Sequence, residues 1–296
     1  MLWKPSKALG LIVGVILLLT LLGSATFLLE SLRRQPLGLG AFLTGLLLLC
    51  SLPLLAILLY GLYGLITLRY ELDRNALVIS SGLRREVIPL PAVQRVLHGS
   101  EIKVVQGFRG LGWPGYLVGR VRMEGDQVLL VHGTEPLVRQ VVIVTEARCY
   151  GISPRAPEAF IQELQARQAL GPVREVAQRS EHVAWLAWPV WRDRWFLGLV
   201  VLSLLASAAL FGLVLGRYGS LPERLPLRFF RGEVERVAAK SGLLLLPSIG
   251  GLTWVVNTLL GWWLHQKERL GAYLLVTTAL LIHLLLWPSV LAILGR

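Results

Sequence analysis

The sequence predicts an integral membrane protein: an α-helical bundle of about five transmembrane helices, with an inserted small β-sandwich- or barrel-like domain capped by a C-terminal helix. Three observations predict it. Of the 296 residues, 54% are hydrophobic and only 16% are charged, and the mean hydropathy is +0.62, whereas soluble domains average about 25% charged residues. The apolar residues gather into runs as long as the roughly 20 residues that cross a hydrocarbon core. Between the second and third runs the texture changes over residues 69–167, where charges return and short alternating segments are separated by turn residues.

Residues 9–29, after Lys4 and Lys7, form the first apolar run. Gly23-Ser24-Ala25 resembles a signal cleavage site, but signal cores are usually about 7–15 residues long and a second apolar run follows, so the segment reads as a span. The linker 31–36 carries Arg33 and Arg34, and the run 39–68 exceeds one crossing, which predicts a tilt or a bend around Pro53. Residues 1–68 are thus a helical hairpin. In the domain 69–168, strands are expected at 70–73, 76–79, 87–90, 128–131 and 141–144, with turns at 73–75, 81–82, 98–100 and 124–126. From Pro157, helical spacing places Phe160, Ile161 and Leu164 on one face, as expected of a helix closing a sheet. The connector 169–194 leads into a stripe of Trp185, Trp188, Trp191 and Trp195 at roughly helical spacing, read as anchors at headgroup level. Residues 195–296 form a three-helix membrane domain, with spans at 195–215, 243–264 and 270–294, a polar loop at 217–242 and a tight turn at 265–269. An odd number of spans puts the two ends on opposite sides. The Lys and Arg bias favours a cytoplasmic sheet domain, with Lys4, Lys7, Arg69, Arg74, Arg84, Arg85, Arg192, Arg194, Lys267 and Arg269 on that side.

A net charge of +12 beside so much leucine points to anionic lipid headgroups, and no nucleic-acid partner is expected. Cys50 and Cys149 offer neither a disulfide framework nor metal spacing, and His98 and His132 stand without local carboxylate or cysteine partners, so no metal and no cofactor is expected. There is no G-x-S-x-G elbow, and Glu233 and Glu235 read as a solvated, charge-balanced face, so the chain is read as not an enzyme. Interior acidic or basic residues, expected of a proton-coupled transporter, are missing from the spans. His283 is the ionisable exception, a group that in hydrocarbon is often functional, read first as a neutral histidine bonded between packed helices and facing Asn257 or Thr253 of the fourth span. Gly110-Leu-Gly112-Trp113-Pro114-Gly115 formally satisfies a dinucleotide-binding fingerprint. Residues 116–123 then alternate as a strand, and Pro114 stands where a phosphate-binding helix would supply an N–H. The glycines are expected instead to permit positive φ and close backbone approach in a loop between strands.

Tyr70-Glu-Leu-Asp-Arg-Asn-Ala-Leu-Val-Ile-Ser-Ser-Gly82, followed by Val87-Ile-Pro-Leu90 and Val93-Gln-Arg-Val96, resembles the start of bacterial pleckstrin-homology-like (PH-like) domains attached to membrane helices. Gly107-Phe-Arg-Gly-Leu-Gly112, the 141–150 strand and Ile152-Ser-Pro154 with Phe160 extend the likeness over about a hundred residues. It implies a PH-like fold for residues 69–168 in a multi-pass protein of the bacterial plasma membrane, with the domain acting as a docking or scaffold module. Its partners would be proteins, a second copy of the chain or anionic membrane lipid. The basic residues Arg69, Arg74, Arg84 and Arg85 are the candidates for meeting headgroups or a partner. Residues 221–240 are similar to a bacterial membrane domain of unknown function with the pattern LP-x-x-iP-x-H-f/w-n-x-x-G-x-x-D-x-w-x-x-K. Pro222, Pro226, Phe229, Gly232 and Lys240 match it, while Arg228, Phe230, Glu235 and Val237 depart from it. Some members of that family are tied to toxin immunity and signalling, so sensing or toxin resistance through the 217–242 loop is the alternative function.

Overall fold

The computed structural model describes residues 1–102, 104–125, 127–174, 176–182, 188–227 and 236–294. Five of the described helices are long and apolar enough to cross a membrane. The chain divides into two compact units, one of Met1–Ser24 with Ser51–Val183 and the other of Ala25–Cys50 with Ala184–Arg296.

The first unit holds β1 (Leu2–Trp3), the first part of α1 (Ala8–Arg34) and the last part of α2 (Leu39–Thr67), which runs unbroken through Pro53. There follow β2 (Arg69–Leu72), β3 (Ala76–Ser81), β4 (Arg84–Pro89), β5 (Val93–His98), β6 (Val104–Trp113), β7 (Tyr116–Met123), β8 (Val128–Gly133), β9 (Val141–Thr145), β10 (Cys149–Ile152), α3 (Pro157–Leu170) and β11 (Arg179–His182). They build one sheet in the order β1-β2-β3-β4-β11 and a second in the order β5-β9-β10-β8-β7-β6. All neighbours are antiparallel except β8 and β10, which are parallel. The inward residues of both sheets form one core: Tyr70, Leu72, Leu77, Ile79 and Ile88 meet Val141, Ile143, Tyr150 and Ile152. The amphipathic face read from the sequence closes it, because α3 buries Phe160 and Leu164 completely. Trp3 extends that cap, its ring edge-on to Phe160 at 5.5 Å. Tyr70 OH donates to the His132 carbonyl (2.6 Å) and accepts from the Ser153 N–H (3.2 Å), and burial pushes the phenol up to about 12. β1 and β11 escaped the sequence reading because they are two and four residues long, too short for alternation to declare itself.

The glycine run is a β-hairpin of β6 and β7, turning at Pro114-Gly115, with Gly115 at φ +85°. Its tip lies on glycines of both helices. Trp113 Nε1 donates to the Gly10 carbonyl at 2.8 Å. A Cβ at Gly10 would overlap the Gly115 carbonyl, and one at Gly61 would stand 2.7 Å from the Trp113 ring. A Cβ at Gly64 would overlap Tyr116 OH. Small residues on packed helices let another chain segment approach closely, and here that segment is the hairpin.

In the second unit, α4 (Arg194–Tyr218), α5 (Leu245–Leu264) and α6 (Arg269–Leu294) pack around Phe196, Ala272 and Val276 at one end and around Leu210, Val214, Val290 and Leu294 at the other. Gly212 makes room for the Phe42 ring of α2. The expected polar loop contains β12 (Arg224–Leu227) and β13 (Arg236–Ala239), which pair antiparallel. The tryptophan stripe is not one helix: Trp188 precedes and Trp191 lies within a 3-10 turn, Pro189–Arg192, and α4 starts afresh beyond Asp193. Asp193 causes that break, since its side chain accepts from the Phe196 N–H and caps the new helix.

Candidate membrane-surface site

α1 begins and α2 ends beside the sheets of the first unit, and between those helix ends lies a cleft of about 550 Å³ lined by Leu2, Lys4, Pro5, Lys7, Ile66, Thr67, Leu68 and Arg69. Each cation has a local reason to be there. Lys7, just before α1, donates to the Ile66 carbonyl at 2.6 Å, satisfying one of the carbonyls left open at the end of α2. Arg69 opens β2 and pairs with Glu71 through its Nε at 2.7 Å. Thr67 Oγ1 accepts the Gly82 N–H at 2.7 Å and so ties the β3–β4 turn to the helix end. Burial, then the charges of Lys4 and Arg69, hold the Lys7 ammonium below its ordinary lysine value. The cleft is therefore a concentration of positive charge with an apolar wall, at the ends of two candidate membrane spans. A phosphate there would relieve the repulsion among the cations.

The predicted basic residues divide. Arg69 lies in the cleft, and the register Arg69–Ser80–Arg85 sets it in one row with Arg85 on the outer face of the sheet, whereas Arg84, opposite Ser81, falls on the other face. Arg74 does not join them. It lies past the end of β2 and donates to the carbonyls of Leu170 and Gly171 at the end of α3. Arg85 points from the outer face of the sheet, since strand alternation separates it from Arg84. Lys4 and Lys7, counted in the sequence only as flanking charge, are the residues that complete the cleft.

Among the interfacial tryptophans, Trp195 is 83% exposed and Trp191 is 43% exposed, with its ring 5.1 Å from that of Trp262. Trp188 packs on the Val190 and Phe196 core, and Trp185 lies outside the described residues. In the loop motif, Pro222 is exposed and Pro226 pairs opposite Val237, while Lys240 Nζ meets Glu223 Oε1 at 2.6 Å. Arg228, Phe229, Phe230, Gly232, Glu233 and Glu235 lie outside the described residues.

The expected partners of His283 are corrected. His283 Nδ1 bonds within its own helix to the Ala279 carbonyl at 2.7 Å, and the ring faces Gly250. The short turn sets α5 against α6 so that Gly261 meets Ala272 and Gly250 meets His283, which leaves Asn257 out of register. The sequence reading missed a different polar group. Asp193 accepts from Tyr273 OH (2.6 Å) and lies 3.0 Å from His265 Nε2, so one carboxylate ties the starts of α4 and α6 to the end of α5. Asp193 ahead of a long apolar run is an N-cap signal, but its two distant partners have no sequence spacing to announce them. No group of three or more His, Cys, Asp or Glu side chains fit to hold a metal occurs among the described residues.

Residues 68–168 match the family model of the bacterial PH domain. No curated protein matches the chain, and no solved structure does. The match begins at the last residue before β2 and ends in α3, so it covers β2 to β10 with the closing helix, and it is over residues 68–168 that this membrane protein is similar to a bacterial PH domain.

Proposed function

We propose that the chain is a non-enzymatic, multi-pass protein of the bacterial plasma membrane, whose PH domain works as a docking module on the cytoplasmic face. Anionic phospholipid headgroups in the cleft of Lys4, Lys7 and Arg69 hold that module to the surface. The observation that carries this reading is the convergence of three cations on one cleft at the ends of α1 and α2. Each basic residue near an anionic surface contributes about 1 kcal/mol, so the three together give a preference that depends on the lipid and weakens with salt. The test is thermal unfolding of the chain in nanodiscs of phosphatidylcholine with and without phosphatidylglycerol. The anionic lipid is expected to raise the unfolding temperature of the wild type, and Lys4→Gln/Lys7→Gln/Arg69→Gln to abolish most of that rise. An equal rise in the triple variant refutes the reading.

A second reading, sensing or toxin resistance through residues 217–242, draws on the β12–β13 hairpin and on the Lys240–Glu223 pair at its base. Deletion of residues 224–239 tests it: loss of a cellular phenotype that survives the Lys4, Lys7 and Arg69 substitutions favours this loop over the lipid cleft.

A further inference from the structure

The outer face of the first sheet carries a second cleft, of about 470 Å³, between β3 and β4 and the segment leading into β11. Pairing dictates its lining. Val78 is opposite Val87 and Arg179 is opposite Val87 from the other side, so these side chains share one face. Ala76 and Arg85 join them by the two-residue period of the strands. Val176 packs over the buried Ala76, Val78 and Val87 and is the partly exposed apolar residue of the floor. Around it stand the guanidiniums of Arg85, Arg174 and Arg179. Arg179 shares a carboxylate with the chain, since its Nε meets Glu181 at 2.8 Å. Glu181 stands directly opposite Arg85 on β11 but pairs with Arg179, and among the described residues no ion pair holds Arg85 or Arg174. The one acidic residue of the lining, Asp73, already accepts the N–H groups of Asn75 and Ala76, each at 2.7 Å.

We infer that this cleft docks an extended acidic segment of a protein partner, one that alternates carboxylates with small aliphatic side chains. Guanidiniums spaced along strands suit carboxylates two residues apart on an extended chain, and the apolar floor suits the side chains between them. Arg85 is level with Arg69 through Ser80, and the cleft runs from there to Asp73, about 13 Å further along β2, so it is the Asp73 end that suits a chain approaching from water. The inference rests on the docking reading above, with a different surface and a different ligand.

The experiment uses the full chain in phosphatidylcholine nanodiscs and a fluorescein-labelled peptide, acetyl-Glu-Val-Glu-Val-Glu-amide, followed by anisotropy. Saturable binding is expected, with the all-Gln counterpart failing to compete. Arg85→Gln and Arg174→Gln are each expected to weaken it by about tenfold, the scale of one charge-assisted hydrogen bond. Lys7→Gln is expected to leave it unchanged, which keeps failure of the lipid reading distinguishable from failure of this one. Both arginines are exposed, and unchanged thermal unfolding of their variants verifies that the fold is intact. The inference is overturned by absence of saturable binding, by equal binding of the Gln peptide, or by a loss in Lys7→Gln as large as in Arg85→Gln. It is overturned equally if inorganic phosphate displaces the peptide at lower concentration than the unlabelled peptide does, which would assign the cleft to phosphate.

Discussion

Asp193 concentrates more structure than any other single polar side chain of the second unit. Its carboxylate accepts from the Phe196 N–H (3.1 Å) and from Tyr273 OH (2.6 Å) and faces His265 Nε2 at 3.0 Å. The Tyr273 and His265 bonds, in that order, hold its carboxyl down at about 2. Because the folded value lies below the unfolded one, about 3.9, the stabilisation is complete above that unfolded value and is lost as pH falls through the folded one. Asp193→Asn keeps the length of the cap but removes the charge, and is expected to lower stability at neutral pH by about 1–3 kcal/mol. Thermal unfolding in detergent measures it, with Tyr273→Phe expected to cost less because two partners remain. Wild-type and Asp193→Asn proteins should converge in stability toward pH 2, and a gap that persists there would refute the assignment. This site was half legible in the sequence: a capping residue announces itself locally, whereas partners 72 and 80 positions away do not.

Among the elements, the β6–β7 hairpin shows how one sequence pattern serves different ends. Its glycine spacing mimics a nucleotide fingerprint, but a strand follows where the fingerprint requires a helix, and the tip rests on helix glycines instead. Positive φ and close approach coincide at Gly115, whose Cβ would strike Gly10. Gly115→Ala is therefore expected to destabilise the first unit by about 1–3 kcal/mol through backbone strain alone, and more through the clash. Gly61→Leu tests the groove from the helix side, because it drives a side chain into the Trp113 ring. Tryptophan fluorescence is the readout: Trp113 should shift to the red in Gly61→Leu as it leaves its seat, measured against a Trp113→Phe background. An unchanged spectrum with wild-type stability would mean the contact is dispensable. That a loop joined two strands was readable from alternation, but its seat was not, because more than a hundred residues separate Trp113 from Gly10.

For the whole molecule, the five candidate spans among the described residues predict chain ends on opposite sides of a bilayer. Reporter fusions after residue 182 and after residue 296 are expected to report opposite compartments, with the first cytoplasmic. The same side for both would remove one of the helices from the membrane.

The sequence by itself determined the solvent of each segment. Hydrocarbon demands long apolar runs and water demands charge and alternation, so spans, sheet domain and closing helix were all written locally. The resemblance of residues 70–82 and 87–96 likewise led to the family that matches. Only the tertiary structure decided which distant groups meet. It placed Lys4 and Lys7 with Arg69, removed Arg74 from that set, turned Arg84 to the face opposite Arg85 and put Gly250 opposite His283. Charge carries no information about its neighbours until strand register and helix packing fix them.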